Sequence, residues 1–274
     1  PALIRHFAIQ RQIARSLLYD SGFCSEPSTD HRRNHKAGQQ TEKRCDGELQ
    51  AAGLRLRRPS ERLRLRLSVV TSLGNLWLMP RLEDFRRQHP GVAIEFRQYR
   101  HDEDFTRDDV DLWIDVKRSL RQQWPRQIAA RYLVGREILE VCTPAVASGI
   151  ANAQDILRQP LLYHSAHPGN WEIWAGQAGL DLAGHPLDCG FDLVINMVDA
   201  ARAGMGVAVV QECMVRDDLR AGRLVAPLGV RASTGRGYYV CRRRAQAAHP
   251  ASELFSQWLQ EQALAPILLR CDNS

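Results

Sequence analysis

Residues 63–97, LRLRLSVVTSLGNLWLMPRLEDFRRQHPGVAIEFR, decide the fold. Leu63, Leu65, Leu67 and Val69 alternate with Arg64, Arg66 and Ser68. A period of two that ends in β-branched residues is that of a strand becoming buried on both faces. The turn TSLGN follows, with Thr71 and Ser72 as N-cap candidates. Leu78, Leu82 and Phe85 then recur at helical spacing, and His89-Pro90-Gly91 stops the run. Proline is tolerated in a first helical turn, so Pro80 places the expected helix start at Asn75–Trp77. Val92, Ile94 and Phe96 share one face of a second strand.

The alternation continues outward. VDLWIDV (Val110 to Val116) reads as a third strand, after an acidic segment, HDEDFTRDD, that reads as a short helix or a loop. The order β-α-β-α-β is that of a parallel sheet with helical crossovers. ARYLVGREILEVCTP is a β-rich run interrupted by a glycine. Beyond it lie a strand at 161–164, a helix at about 170–180, a helix within DLVINMVDAARAGMG and a buried strand GVAVV. The helix QECMVRDDLRAG and the strands RLVAPL and GYYVCRRR come next. A last amphipathic helix, PASELFSQWLQEQA, sets Leu254, Trp258 and Leu259 on one face.

Composition narrows the class. With 44% hydrophobic and 25% charged residues in 274, the chain suits one large two-lobed domain or two small ones. No apolar run reaches the roughly 18 residues of a membrane span, and PALIRHFAIQRQIARSLLYD has no secretory h-region. The seven cysteines, at 24, 45, 142, 189, 213, 241 and 271, include no CxxC pair. That argues against structural zinc and a disulfide framework, and suits a reducing cytoplasm. The formal charge of +6 is uneven: residues 1–67 carry 14 Lys/Arg against 7 Asp/Glu, and the remainder 23 against 24. A basic arm of this kind can touch nucleic acid, and a solvated disordered arm fits equally well. Residues 1–62 are expected to be basic and largely disordered or degenerate, because SEPSTDHRRNHKAGQQTEKRCDGE offers almost nothing to bury.

Several local patterns coincide in order and spacing: TSLGNLWLMPRLEDFRRQHPGVAIEF, VDLWI, EILEVCTPAV, LLYHSAHPGNWEIWAGQAGL, INMVDAARAGMGVAVVQECMVRDDLRAGRLVAPL and STGRGYYVCRRR. Together they resemble the effector domain of LysR-type transcription regulators, over about 200 residues. The Trp-Glu-Ile-Trp helix and STGRGYYV resemble the subgroup that regulates glycine cleavage and β-lactamase induction. The resemblance implies an α/β, two-lobed, periplasmic-binding-protein-like (type II) fold with two hinge strands, placed within 136–143 and 236–243. Lobe I would span 63–135, lobe II 136–236, and the chain would return to lobe I over 237–264, leaving 265–274 as a tail. The family's N-terminal winged helix-turn-helix pattern is missing from residues 1–60. A frame-shifted or truncated product and a remnant of an insertion would both look this way. Asp115 and Trp113 also depart from the family, which commonly has Arg after the Asp-containing strand and a small residue within it.

The resemblance places a small-molecule effector in the interlobe cleft, at the carboxyl ends of strands. Thr71 and Ser72, with Gly74 and Asn75 extending their loop, make a ready anion or carboxylate site. Ordinary capping and turn chemistry explain the same four residues. Asp115 and Lys117 follow the third strand, where Lys117 is either an anion contact or a surface lysine. His164 and Ser165 hold the matching position in lobe two. Asn196 and Met197 open the next helix, and Tyr238 lies on the return strand as a cleft hydroxyl or a hinge-packing ring. Trp171 and Trp174 read as core. The pair His164 and His167 lacks a third metal ligand in sequence. No GxSxG, P-loop, GxGxxG or HExxH occurs, so neither enzyme activity nor a cofactor is expected. The expected function is a cytoplasmic LysR-family regulator binding a small metabolite, forming a dimer or tetramer and touching no membrane. Sequence-specific binding of promoter DNA belongs to the full-length family and is not expected of this chain. The rival readings are a solute-binding protein of a transporter, and a DNA-blind remnant that binds effector or dimerises.

Overall fold

The computed structural model describes residues 63–245 and 249–264. The expected basic arm at 1–62 and the tail at 265–274 lie outside the described residues. Strand β1 (Leu63–Val69) buries Leu65 and Leu67 completely, as the alternation requires. Strands β2 (Val92–Arg97) and β3 (Leu112–Lys117) lie parallel on either side of it, with Leu65 opposite Ile94 and Val69 opposite Ile114. Two antiparallel pairings complete this sheet. They join β4 (Ile128–Val134) and β3 to β10 (Gly237–Arg243), giving the order β2-β1-β3-β10-β4.

The second sheet contains β5 (Glu137–Val141), β6 (Leu161–His164), β7 (Cys189–Phe191), β8 (Val207–Gln211) and β9 (Arg231–Ser233), in the order β7-β6-β8-β5-β9. The chain passes between sheets twice, at Gly135–Arg136 and at Thr234–Arg236, beside the starts of the two stretches expected to cross. The two links are tied together, because the Thr234 amide and hydroxyl both donate to the Arg136 carbonyl, at 2.9 and 3.1 Å.

The helix after β1 differs from the expectation. It begins at Thr71 rather than near Asn75–Trp77, as one run of Thr71–Leu73, a π-helical stretch Gly74–Leu78, and Met79–Gln88; we call the run α1. Proline donates no amide hydrogen, and its ring crowds the carbonyl four residues back. The wider π turn, in which the Met79 amide reaches back to the Gly74 carbonyl, accommodates Pro80 inside the helix. The acidic segment after β2 contains no helix, so the β2-to-β3 connection is a loop. The later helices are α2 (Pro144–Ala147), α3 (Ala153–Ile156), α4 (Asn170–Ala178), α5 (Val194–Arg202), α6 (Glu212–Arg220) and α7 (Pro250–Leu264). RLVAPL is not a strand. Only Val225 bridges, to Cys142, and the neighbouring strand is β9.

Three apolar clusters hold the sheets and helices. The largest joins Leu65, Trp77, Phe85, Phe255 and Trp258 on the first sheet's side to Val194, Met197, Val210 and Met214 on the second's. Each large side chain buried there contributes about 1.5–3 kcal/mol. The second cluster lies in lobe II around Ile138, Trp171, Trp174 and Val209, so both tryptophans are core. The third, in lobe I, gathers Phe105, Val110, Trp113, Ile128 and Cys241, with Trp124 and Tyr239 packed against it. Bulky Trp113 is thus accommodated by an aromatic cluster of its own. Among the described residues no helix is long and apolar enough to cross a membrane.

Candidate effector cleft

At the carboxyl end of β1, the first turn of α1 meets the first turn of α5. Ser72, 3% exposed, accepts the Ile195 amide hydrogen on its Oγ at 3.2 Å. Leu193, the residue preceding α5, supplies no side-chain cap, so a hydroxyl from lobe I caps a lobe II helix. Thr71 is exposed beside it. Asn75, also exposed, donates from Nδ2 to the Thr71 carbonyl at 2.9 Å. Gly74 is buried in the π stretch, where a Cβ would stand 3.1 Å from Val69 Cγ1.

The end of β3 carries a hydrogen-bonded chain. Asp115 is buried and accepts from the Val116 amide at 2.7 Å and from the Tyr99 hydroxyl at 3.0 Å. Burial pushes its carboxyl above the usual range, against the pull of Arg118 at 3.7 Å. Arg118 donates to the Tyr99 oxygen at 2.8 Å and to the His101 carbonyl, while its buried Nε has no partner. Lys117, next to it, lines a separate cavity in lobe I with Trp124 and Arg126.

The facing lobe presents the end of β6. His164 is half-buried and accepts the Ala166 amide on Nδ1 at 3.1 Å. Ser165 is exposed, and its amide donates to the Phe191 carbonyl at 2.8 Å. His167 lies against His164, with ring centroids 5.3 Å apart, and its Nδ1 is 2.8 Å from an Arg236 guanidinium nitrogen. A guanidinium has only donors, so His167 is the acceptor and is neutral. Burial first, then Arg236, His164 and Arg118, push the His167 ring down to about 4. Arg236 also donates to the Asn170 Oδ1 and has no acidic partner among the described residues. The influence of Arg118 on His167 sets a lobe I guanidinium within electrostatic range of lobe II.

The remaining expected site residues are placed unevenly. Tyr238 is 3% exposed and packs on the first link. A Cβ on Gly135, whose φ is +93°, would stand 2.6 Å from the Tyr238 ring, so only glycine fits. Asn196 and Met197 do not open a helix, because α5 starts two residues earlier, at Val194. Asn196 is exposed, whereas Met197 is buried in the main core and faces away from solvent. The reading from sequence did not single out Tyr99, Arg118, Asn170 or Arg236, and it weighed His167 only as a metal ligand. Arg236 had a signal, standing immediately before the return strand in STGRGYY. Among the described residues no group of three His, Cys, Asp or Glu is placed to hold a metal ion. The end of β3 thus carries the Arg118 guanidinium, and the end of β6 carries two imidazoles with the Arg236 guanidinium against one of them.

Known proteins match this arrangement of lobes. The LysR substrate binding domain family matches residues 58–264. The chain is 32% identical over 214 residues to the HTH-type transcriptional regulator TrpI of Pseudomonas aeruginosa, covering 76% of this chain and 70% of that one. It is 30% identical over 222 residues to the glycine cleavage system transcriptional activator of Escherichia coli K12, covering 80% and 71%. Among solved structures, the AmpR effector domain of Pseudomonas aeruginosa superposes with a TM-score of 0.61 at 28% identity, over 74% of this chain and 95% of that one. The AmpR effector binding domain of Citrobacter freundii gives 0.62 at 28% identity, over 72% and 96%. These relatives are regulators, which accords with the regulator reading and not with a transporter's solute-binding protein. With the type II two-lobed architecture and the family match across both lobes, this chain belongs to the LysR substrate-binding domain family.

Proposed function

We propose that the cleft takes a small anionic metabolite between Arg118 of lobe I and Arg236 at the second link, and that its occupancy is the regulatory signal. The observation that carries this reading is Arg236, a half-buried guanidinium held by a neutral His167 and an amide, with no acidic partner. An unpaired charge out of water is costly, and an anion offsets that cost by pairing with it. Thr71, Ser72, Gly74, Asn75, His164, Ser165, Asn196 and Tyr238 stand as the surrounding effector residues. Asp115 balances Arg118, and Lys117 belongs to the separate lobe I cavity.

A ligand that prefers one arrangement of the lobes shifts the population toward it, and any partner that reads the lobes feels the same free energy. The protein is proposed to work in the cytoplasm without catalysing a reaction. It is proposed to assemble as a dimer, α1 of one copy against α5 of another. Exposed Met79 on α1 and Phe96 on the neighbouring edge strand support that face. Contact with promoter DNA is not assigned to this chain. Native mass spectrometry of the protein after exposure to a bacterial metabolite extract tests the reading. The expected result is a retained small anion in the wild type that is lost in Arg236→Gln. Equal retention by both proteins, or none by either, overturns it.

A further inference from the structure

The β3–β4 connection, residues 118–127, borders an open hollow of about 370 Å³ in lobe I, lined by Lys117, Leu120, Trp124, Arg126, Ile128 and Arg244 among others. Small-molecule sites start at about 300 Å³. The lining includes three cations and no carboxylate. Several arginines elsewhere pair with acids: Arg66 with Asp111 at 2.6 Å, Arg202 with Asp218 at 2.6 Å, and Arg231 with Glu212 at 3.0 Å. Lys117 and Arg126 have no such partner among the described residues. Like charges around one hollow repel, and an anion placed among them removes that cost.

The aromatic wall is fixed. The Trp124 ring centroid lies 5.4 Å from that of Tyr239 and 6.0 Å from that of Phe105, so the indole is wedged against the third apolar cluster while still lining the cavity. A fixed, half-buried indole offers a planar ligand a stacking surface without losing side-chain freedom on binding. Leu120, 66% exposed, joins this cavity to the second link. A Cβ on Gly235 would stand 2.6 Å from Leu120 Cδ2, so Leu120 rests directly on that glycine, whose φ is +64°.

We propose that this cavity is a second ligand site, taking a small aromatic acid, a planar ring bearing a phosphate or carboxylate. The ring stacks on Trp124, the anion sits between Lys117 and Arg126, and displacement of Leu120 passes the occupancy to the link at Gly235. The site stands independently of what occupies the cleft.

Calorimetric titration of the full chain with phenyl phosphate and with benzoate tests this. Saturable binding is expected, with a Kd in about the millimolar range for so small a ligand, and phenol without the anion should bind far more weakly. In Lys117→Ala/Arg126→Ala the affinity should fall at least about tenfold, the loss of charge-assisted hydrogen bonds. Arg126→Lys should retain most of it. The control pair Arg86→Ala/Arg158→Ala removes the same charge from exposed positions and should bind as the wild type. Absence of saturable binding to either acid overturns the proposal. So does wild-type affinity in the Lys117→Ala/Arg126→Ala protein, or an equal loss in the control pair.

Discussion

Ser72 Oγ accepts the Ile195 amide hydrogen across 3.2 Å, so the first turn of a lobe I helix caps the first turn of a lobe II helix. The contact joins the turn after β1 to the facing lobe through a single hydroxyl, beneath which the main apolar cluster also runs continuously. Removing it leaves an amide at a helix start without its acceptor. Ser72→Ala is expected to cost about 1 kcal/mol. In a domain of this size that lowers the melting temperature by about 2–4 °C. A melting curve that superposes on the wild type would show that the cap carries no stability.

Glu140 anchors lobe II from inside. It is fully buried and accepts the Trp174 indole hydrogen at 2.9 Å and the Leu228 and Gly229 amides at 2.8 and 2.7 Å. Glu140→Ala strands the two amides out of water, while the indole keeps the Val230 carbonyl at 3.0 Å, and should cost about 3 kcal/mol. Urea unfolding followed by tryptophan fluorescence measures the loss. A cost below about 1 kcal/mol would mean that water replaces the carboxylate there.

Gly135 sits where the chain first passes between lobes. Its φ of +93° and the Tyr238 ring 2.6 Å from a would-be Cβ both exclude a side chain. Gly135→Ala should therefore destabilise by about 2 kcal/mol or more. Gly91→Ala, with nothing within 4 Å of the added carbon, should be close to neutral in the same thermal measurement. Equal melting temperatures for the two variants would remove the steric argument.

The neutral state of His167 has a pH signature. Burial and the Arg236, His164 and Arg118 charges depress the ring from 6.5 to about 4, so in that interval the unfolded chain binds more protons than the folded one. Stability contributed by neutral His167 is complete above pH 6.5 and is lost as pH falls toward 4. His164 is pushed the same way by burial, while Asp192 opposes that shift. Asp115, raised by burial, acts with the opposite sign. Urea midpoints for wild type and His167→Gln between pH 7 and 5 isolate the group. The wild type should lose more stability over the interval, and parallel curves would contradict the assignment.

The alternating Leu63–Val69 strand, the helix stopped at His89 and the buried GVAVV strand could all be read because their apolar periods extend over several residues. The three-residue strands β7 and β9 are too short to show a period. The Asn75–Trp77 helix start was misread because the proline rule assumes α-geometry, whereas a π turn lets Pro80 lie within the helix. The candidate cleft was legible at strand ends, where Thr71, Ser72, Asp115 and His164 stand. Arg118, Arg236 and Tyr99 were not, because what matters about each is the group across from it. No sequence interval announces that Arg236 meets His167 and Asn170, 69 and 66 residues away. Lys117 and Arg118 are adjacent in sequence, yet one lines the lobe I cavity and the other meets Tyr99 at the end of β3.

Thermal unfolding against a panel of small carboxylates and phosphates reads whether Arg236, at the second link, pairs with an anion in the cleft as proposed. The wild type, Arg118→Gln and Arg236→Gln are compared at fixed pH and ionic strength. At least one compound should raise the melting temperature of the wild type in a concentration-dependent way, and do so far less in both variants. A panel that stabilises none of the three proteins, or all of them equally, would contradict it.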